Sequence, residues 1–133
     1  AYSAGSHPRG EVHPLTLLTL QRMQLPVAGW RSKDWSEFSG PGAPARDFGF
    51  TGCDAAAGEV CPVWPGQPVS AHWGFADPAA VSGGESEQRQ AFARIFRQIQ
   101  YRVQQLLALP LSELEADALR RELAYIGQSP LPE

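Results

Sequence analysis

The sequence has few cysteines, no long apolar run and no concentration of basic residues. Two cysteines in 133 residues are too few for a disulfide framework, which excludes a small secreted disulfide scaffold. No stretch reaches the ~18 consecutive apolar residues of a membrane-spanning helix, and the N-terminal residues lack the charged-then-apolar pattern of a signal peptide. The net charge is −3 without a run of lysines and arginines. We therefore expect a soluble, cytoplasmic protein with no nucleic-acid or membrane partner.

The length and composition predict one domain, residues 1–133. Hydrophobic residues make up 43% of the chain and charged residues 19%, a balance that excludes disorder and fibrous classes. All but four of the 13 glycines and 12 prolines lie in residues 1–84. This first part is therefore expected to be rich in turns, and the remainder to be helical.

A long amphipathic helix is predicted over residues 85–109, which contain neither glycine nor proline. At 100° per residue, seven apolar side chains fall within a sector of roughly 120°. They are Phe92, Ile95, Phe96, Ile99, Val103, Leu106 and Leu107. We expect this face to pack on the rest of the domain.

A second C-terminal helix is predicted over residues 112–127, because Pro110 ends the first one. Ser112 and Glu115 have the spacing of a capping box at its start, and Gly127 is a typical helix stop. Its apolar positions are Leu114, Leu119, Leu123 and Ile126.

Short strands alternate with helices in the turn-rich part. Strands are predicted at residues 1–5, 47–51 and 69–73, and Pro14 is well placed as the first residue of a helix that extends to Leu25. This order is typical of a three-layer α/β fold with a short parallel sheet. In such sheets the ligand site lies beyond the carboxyl ends of the strands.

Two cysteines follow the second predicted strand. Small residues separate Cys53 from Cys61, so the loop can bend and bring the two thiols within disulfide distance. The alternative is that both are small buried core residues. A zinc site needs about four ligands, and His72 supplies only a third, so no metal is expected.

An acidic residue, Asp77, follows the third predicted strand. Because Pro78 comes next, Asp77 is held extended, in a loop where a carboxylic acid can give a proton to a leaving oxygen. The alternative is an Asp-Pro pair that only starts a turn. His7 and His13 each precede a proline and are interpreted as turn and helix-entry residues, and His72 as a core histidine.

Five segments occur together in a characteristic order: YSAGSHP at residues 2–8, RSK at 31–33, FTGCD at 50–54, CPVWPG at 61–66 and AHWGFADPA at 71–79. They resemble arsenate reductases of the low-molecular-weight protein tyrosine phosphatase superfamily, and the resemblance extends from residue 1 to about residue 126. It implies a sheet of four parallel strands. It also implies a reaction in which a phosphate-loop cysteine attacks arsenate, an Asp protonates the leaving oxygen, and further cysteines reduce the arsenic adduct to arsenite.

The resemblance assigns three site residues. Asp77 matches the Asp of the family's Asp-Pro loop, while Cys53 and Cys61 match its mobile cysteine loop as first and second resolving thiols. The cysteine spacing of that loop varies among members of the family. The implied substrate is arsenate or a phosphate-like oxyanion. The implied electron source is thioredoxin or a glutathione and glutaredoxin system, with no bound cofactor.

One departure from the family concerns its Cys-x5-Arg phosphate loop, which does not occur in these 133 residues. In the family, a strand, this loop and a helix precede the segment that matches Tyr2. We therefore expect the chain to be inactive alone, and a gap to lie between the strands at Tyr2 and Phe48–Thr51. Three outcomes are physically reasonable: the missing segment is present in the protein, the Tyr2 strand moves across the gap, or a second copy fills it. The last outcome gives a homodimer by strand exchange, and association or rearrangement is favoured if the protein starts at Ala1. The alternative functions are a degenerate, redox-responsive binding or regulatory module and a low-molecular-weight protein tyrosine phosphatase.

Overall fold

The computed structural model describes residues 1–52, 64 and 66–133. These residues form a small mixed α/β protein with a two-stranded parallel sheet and three helices. The elements are α1 (Pro14–Arg22), β1 (Phe48–Thr51), β2 (Val69–His72), α2 (Glu85–Leu107) and α3 (Ala116–Gln128). Three 3₁₀ turns lie between them, at Trp35–Phe38, Pro78–Ala80 and Leu111–Glu113.

The two strands confirm the predicted strands at 47–51 and 69–73. They run parallel, with Phe48 opposite Val69 and Thr51 opposite His72. Hydrogen bonding between the two segments continues beyond the strand ends. The Trp73 N–H, directly after β2, donates to the Thr51 carbonyl over 2.8 Å. The carboxyl ends of β1 and β2 therefore lie side by side, as the sequence predicts for the site.

The predicted N-terminal strand is wrong, and the described residues contain two of the three strands that the resemblance leaves to this part of the family's four-stranded sheet. Gly5 makes only an isolated parallel bridge with Asp34. Its N–H donates to the Lys33 carbonyl and its carbonyl accepts from the Trp35 N–H, each over 3.0 Å. Pairing does not extend further because Pro8 has no N–H and residues 6–7 form a bend.

A cavity of about 650 Å³ lies among the N-terminal segment and the two strands. Tyr2, Ser3 and Ala4 line it together with residues of both β1 and β2. Residues of β1 alternate in direction, and the Asp47 and Thr51 carbonyls bond toward β2. The backbone groups of Phe48 and Phe50 therefore point away from β2, and the described residues contain no strand that pairs with them.

Helix α1 begins at Pro14 as predicted and ends at Arg22, three residues before Leu25. The backbone of Gln24 has a φ of 59°, in the left-handed region. This conformation directs the Leu25 N–H to the Leu20 carbonyl over 2.9 Å, the pattern of a Schellman C-cap. The chain therefore turns out of the helix although the residues there are apolar.

Helix α2 matches the predicted long helix closely, but its buried face is rotated from the predicted one. Ile99, Val103 and Leu107 are 43%, 39% and 71% exposed, so the expectation that the whole apolar sector packs on the domain is wrong. The buried residues are Ala91, Phe92, Ile95 and Arg102. The apolar sector of α2 is wider than the surface that α1, α3 and the Pro78–Ala80 turn cover, so part of it stays exposed.

Helix α3 starts later than predicted, and the capping box is wrong. Residues 111–113 form a 3₁₀ turn, and the helix begins at Ala116 after Glu115, which makes no side-chain cap. Gly127 does not stop the helix, which continues to Gln128. A side chain at Gly127 would collide with the carbonyl oxygen of His72, so the glycine permits close packing on β2.

The main core lies between α3 and the sheet. Trp73, Leu119, Leu123 and Ile126 form a buried cluster. The Trp73 indole Nε1–H donates to the Leu123 carbonyl over 2.9 Å, so its one polar group is satisfied inside the core. The residue that follows β2 is thereby fixed to α3, which determines where the loop toward Asp77 begins.

Candidate functional site

Asp77 lies in the loop that follows β2, and Pro78 holds it extended, with φ −76° and ψ 112°. This conformation confirms the prediction from the Asp-Pro pair. Its Oδ1 accepts from the Ala79 N–H over 2.9 Å and so caps the Pro78–Ala80 turn. The turn-starting role is therefore real. Because capping uses Oδ1, and Oδ2 has no hydrogen-bond partner among the described residues, the exposed carboxylate retains an oxygen that can react.

Asp77 lines a shallow cavity of about 270 Å³ together with Arg9 and His13. Arg9 and Asp77 are exposed and His13 is half-buried. A residue with a guanidinium, one with an imidazole and one with a carboxylate thus line one concave surface. Such a surface can hold a small oxyanion through charge-assisted hydrogen bonds and supply a proton to it.

The His13 ring is held in one orientation and one tautomer. It caps α1, with Nδ1 accepting from the Leu15 N–H over 3.0 Å, which confirms the helix-entry interpretation. The proton of the neutral ring is therefore on Nε2. The ring packs on Phe92 of α2, with 4.7 Å between the ring centroids. Sequence reasoning missed His13 and Arg9 as site residues, because neither is near Asp77 along the chain.

Cys53 and Cys61 lie outside the described residues. The residue before Cys53 is Gly52, whose carbonyl accepts from the Phe75 N–H over 3.0 Å. Phe75 is two residues before Asp77. The described chain thus brings the point where the cysteine segment begins next to the loop that carries the acid.

His72 is not the core histidine that the sequence predicts. Side chains alternate along β2, and His72 lies on the exposed side with Ser70. Its Nδ1 is 2.8 Å from the hydroxyl oxygen of Thr51, directly across the strand pair. The apolar pattern of residues 69–73 was misleading because the buried aromatic residue is the next one, Trp73.

Arg102 is a buried charge that the sequence did not predict as part of any site. It is 4% exposed, and its Nη1 and Nη2 donate to the carbonyls of Gly74 and Gly127 over 2.8 and 2.9 Å. On the helical wheel it falls within about 40° of Ala91 and Ile95, which is the signal that could have found it. Burial lowers the pKa of this guanidinium.

Possible metal ligands are dispersed over the part of the chain that the structure describes, and its helices are short or amphipathic. No three of its His, Cys, Asp and Glu side chains are grouped as metal ligands would be. None of the helices searched in that part has both the length and the apolar character needed to cross a bilayer.

The fold and site together define a small mixed α/β protein with an acidic loop beyond a parallel strand pair. Compared with known proteins, the chain matches no family model and no curated protein. A functional proposal therefore rests on the chemistry of the described residues together with the resemblance of the sequence motifs.

Proposed function

We propose that the chain supplies the proton donor and the resolving thiols of an arsenate reductase with a three-layer, low-molecular-weight phosphatase-like fold. The observation that supports this best is the shallow cavity that Asp77 lines together with Arg9 and His13. Two donors beside one carboxylic acid suit an oxyanion that loses an oxygen during the reaction. The resemblance of the sequence motifs to arsenate reductases supplies the choice of oxyanion.

Each residue of the cavity has a separate role in this proposal. The Arg9 guanidinium binds arsenate oxygens, and the His13 Nε2–H donates one further hydrogen bond. Protonated Asp77 gives its proton to the oxygen that leaves arsenic as water. The attacking thiolate forms the sulfur–arsenic bond and comes from a phosphate loop outside residues 1–133.

The cysteines carry the two electrons. The Cys53 thiolate attacks the sulfur of the arsenic adduct, a disulfide forms, and arsenic leaves as arsenite with two more electrons. The Cys61 thiolate then attacks Cys53, which restores the first thiol and leaves a Cys53–Cys61 disulfide. Thioredoxin, or glutathione with glutaredoxin, reduces that disulfide and completes the cycle. No bound cofactor is needed for these steps.

The test is an NADPH-coupled assay on the protein expressed from its own start codon, with the thioredoxin and the glutaredoxin systems in parallel. Arsenate should cause NADPH consumption with one of them. Asp77→Asn should lower kcat by about 10²–10⁴-fold, because the proton donor is lost while the capping oxygen remains. The matched control is Asp34→Asn, since Asp34 caps the Trp35–Phe38 turn as Asp77 caps its own and lies outside the cavity.

Two outcomes would overturn the proposal. One is the absence of arsenate-dependent NADPH consumption with both reductants. The other is hydrolysis of p-nitrophenyl phosphate without arsenate reduction, which would indicate a phosphatase instead. A protein that is inactive in both assays but whose cysteines still oxidise reversibly would favour a redox-responsive binding module.

A further inference from the structure

One peptide group, between Gly74 and Phe75, is held from both sides. Its carbonyl oxygen accepts from Arg102 Nη1 over 2.8 Å. Its N–H donates to the Gly52 carbonyl over 3.0 Å. The group therefore connects three parts of the chain: helix α2 through Arg102, the end of β1 through Gly52, and the loop to Asp77.

The Arg102 side chain is fixed by more than this bond. Nη2 donates to the Gly127 carbonyl near the end of α3, over 2.9 Å. The guanidinium also lies over the Phe75 ring, with Cζ 4.8 Å from the centroid. These contacts hold the guanidinium in one place. A buried cation of this kind is costly to retain, because apolar packing is often at least as stabilising.

The geometry points to Arg102 as a positioning residue that fixes the start of the acid loop against the end of β1. Asp77 follows the held peptide by two residues, and Cys53 directly follows the glycine that accepts from it. A single peptide thus fixes the start of the loop that carries the proton donor to Gly52, directly after β1. This inference rests on the proposed function, since it assigns Arg102 a role in that reaction without contact to arsenate.

The kinetic test compares Arg102→Met and Arg102→Lys in the protein expressed from its own start codon. Arg102→Met should lower kcat about 10–100-fold, with the KM for arsenate changed less than about twofold, because misalignment affects the reaction and leaves arsenate binding unchanged. Arg102→Lys keeps one charged donor and should recover part of kcat. The control is Leu119→Ala, which destabilises the same core without touching the held peptide and should leave kcat within about twofold.

A second measurement does not depend on activity. In Arg102→Met, the ratio of the amide hydrogen exchange rate of Phe75 to that of Trp73 should rise at least about tenfold above its wild-type value. Trp73 is the internal reference because its N–H bonds to Thr51 and not to the held group. If Arg102→Met does not fold, Arg102→Lys serves for the same comparison.

Exchange at Phe75 that keeps its wild-type ratio to Trp73 would overturn the positioning role. So would a rise in KM at constant kcat, or a fall in kcat as large in Leu119→Ala. If the wild-type protein reduces no arsenate while the exchange ratio changes as expected, the proposed function fails and the structural coupling through Arg102 stands.

Discussion

Gly127 of α3 lies so close to Trp73 that a methyl group has no room between them. A Cβ built on Gly127 would be 2.8 Å from Cδ1 of the Trp73 indole and 2.7 Å from the carbonyl oxygen of His72. The second neighbour is backbone and cannot rotate away. The close approach of helix to strand therefore depends on this glycine.

Gly127→Ala should lower the free energy of unfolding by about 1–3 kcal/mol, because the overpacked helix must shift away from β2. Urea denaturation measures the change. The matched control is Gly42→Ala, at a glycine with no neighbour within 4 Å of a built Cβ, which should change stability little. Equal stability of the two variants would show that α3 tolerates the shift.

The Asp34 cap should make stability depend on pH. The Ser36 backbone N–H donates to the Asp34 carboxylate over 2.8 Å, and this bond lowers the pKa of Asp34 in the folded state. Its contribution is therefore fully present above the unfolded pKa of about 3.9 and is lost as the pH falls through the lower folded value. Asp34→Asn cannot ionise, so the urea midpoints of variant and wild type should differ most at pH 7 and converge near pH 2. A difference that is constant over this range would contradict the assignment.

Mild oxidation should join Cys53 and Cys61 within one molecule, because the short loop between them costs little entropy to close. Non-reducing mass spectrometry of the digested protein detects the linked peptide. Cys61→Ser is the control and should give only intermolecular or reversible single-thiol products. Cysteines that resist both oxidant and alkylating reagent in the folded protein would support the alternative that both are buried core residues.

The unpaired edge of β1 leads us to expect association of two copies. The backbone groups of Phe48 and Phe50 point away from β2, and the described residues contain no further strand that pairs with β1. An open edge of this kind favours strand addition. For a protein that consists of residues 1–133, size-exclusion chromatography with light scattering should therefore give twice the 14.5 kDa mass of the chain. A cooperatively unfolding monomer would show that strand exchange does not occur.

The sequence predicts those features of the fold that depend on local patterns. Residues 85–109 contain no breaker, and the observed helix is Glu85–Leu107. The extended Asp77 follows directly from Pro78, and Pro14 marks the start of α1. Each of these outcomes is determined by neighbours along the chain, so no tertiary information is needed.

The remaining features depend on residues that are distant in sequence. Ser112 and Glu115 have the capping spacing, but residues 111–113 form a 3₁₀ turn that leaves α3 to start at Ala116. Arg102 is buried because two carbonyls, 28 and 25 residues away, need its donors. Arg9 and His13 join Asp77 only through tertiary packing, so this part of the candidate site was not predictable from any local motif.

The most direct test of the central proposal is to separate arsenite from arsenate chromatographically and quantify both, after incubation of the protein expressed from its own start codon with arsenate and a thiol reductant. Wild-type protein should form arsenite over many turnovers, Asp34→Asn should match it, and Asp77→Asn and Cys53→Ser should each form at least about 100-fold less. Wild-type protein that leaves arsenate unchanged, or Asp77→Asn and Cys53→Ser variants that match wild type, would contradict the account.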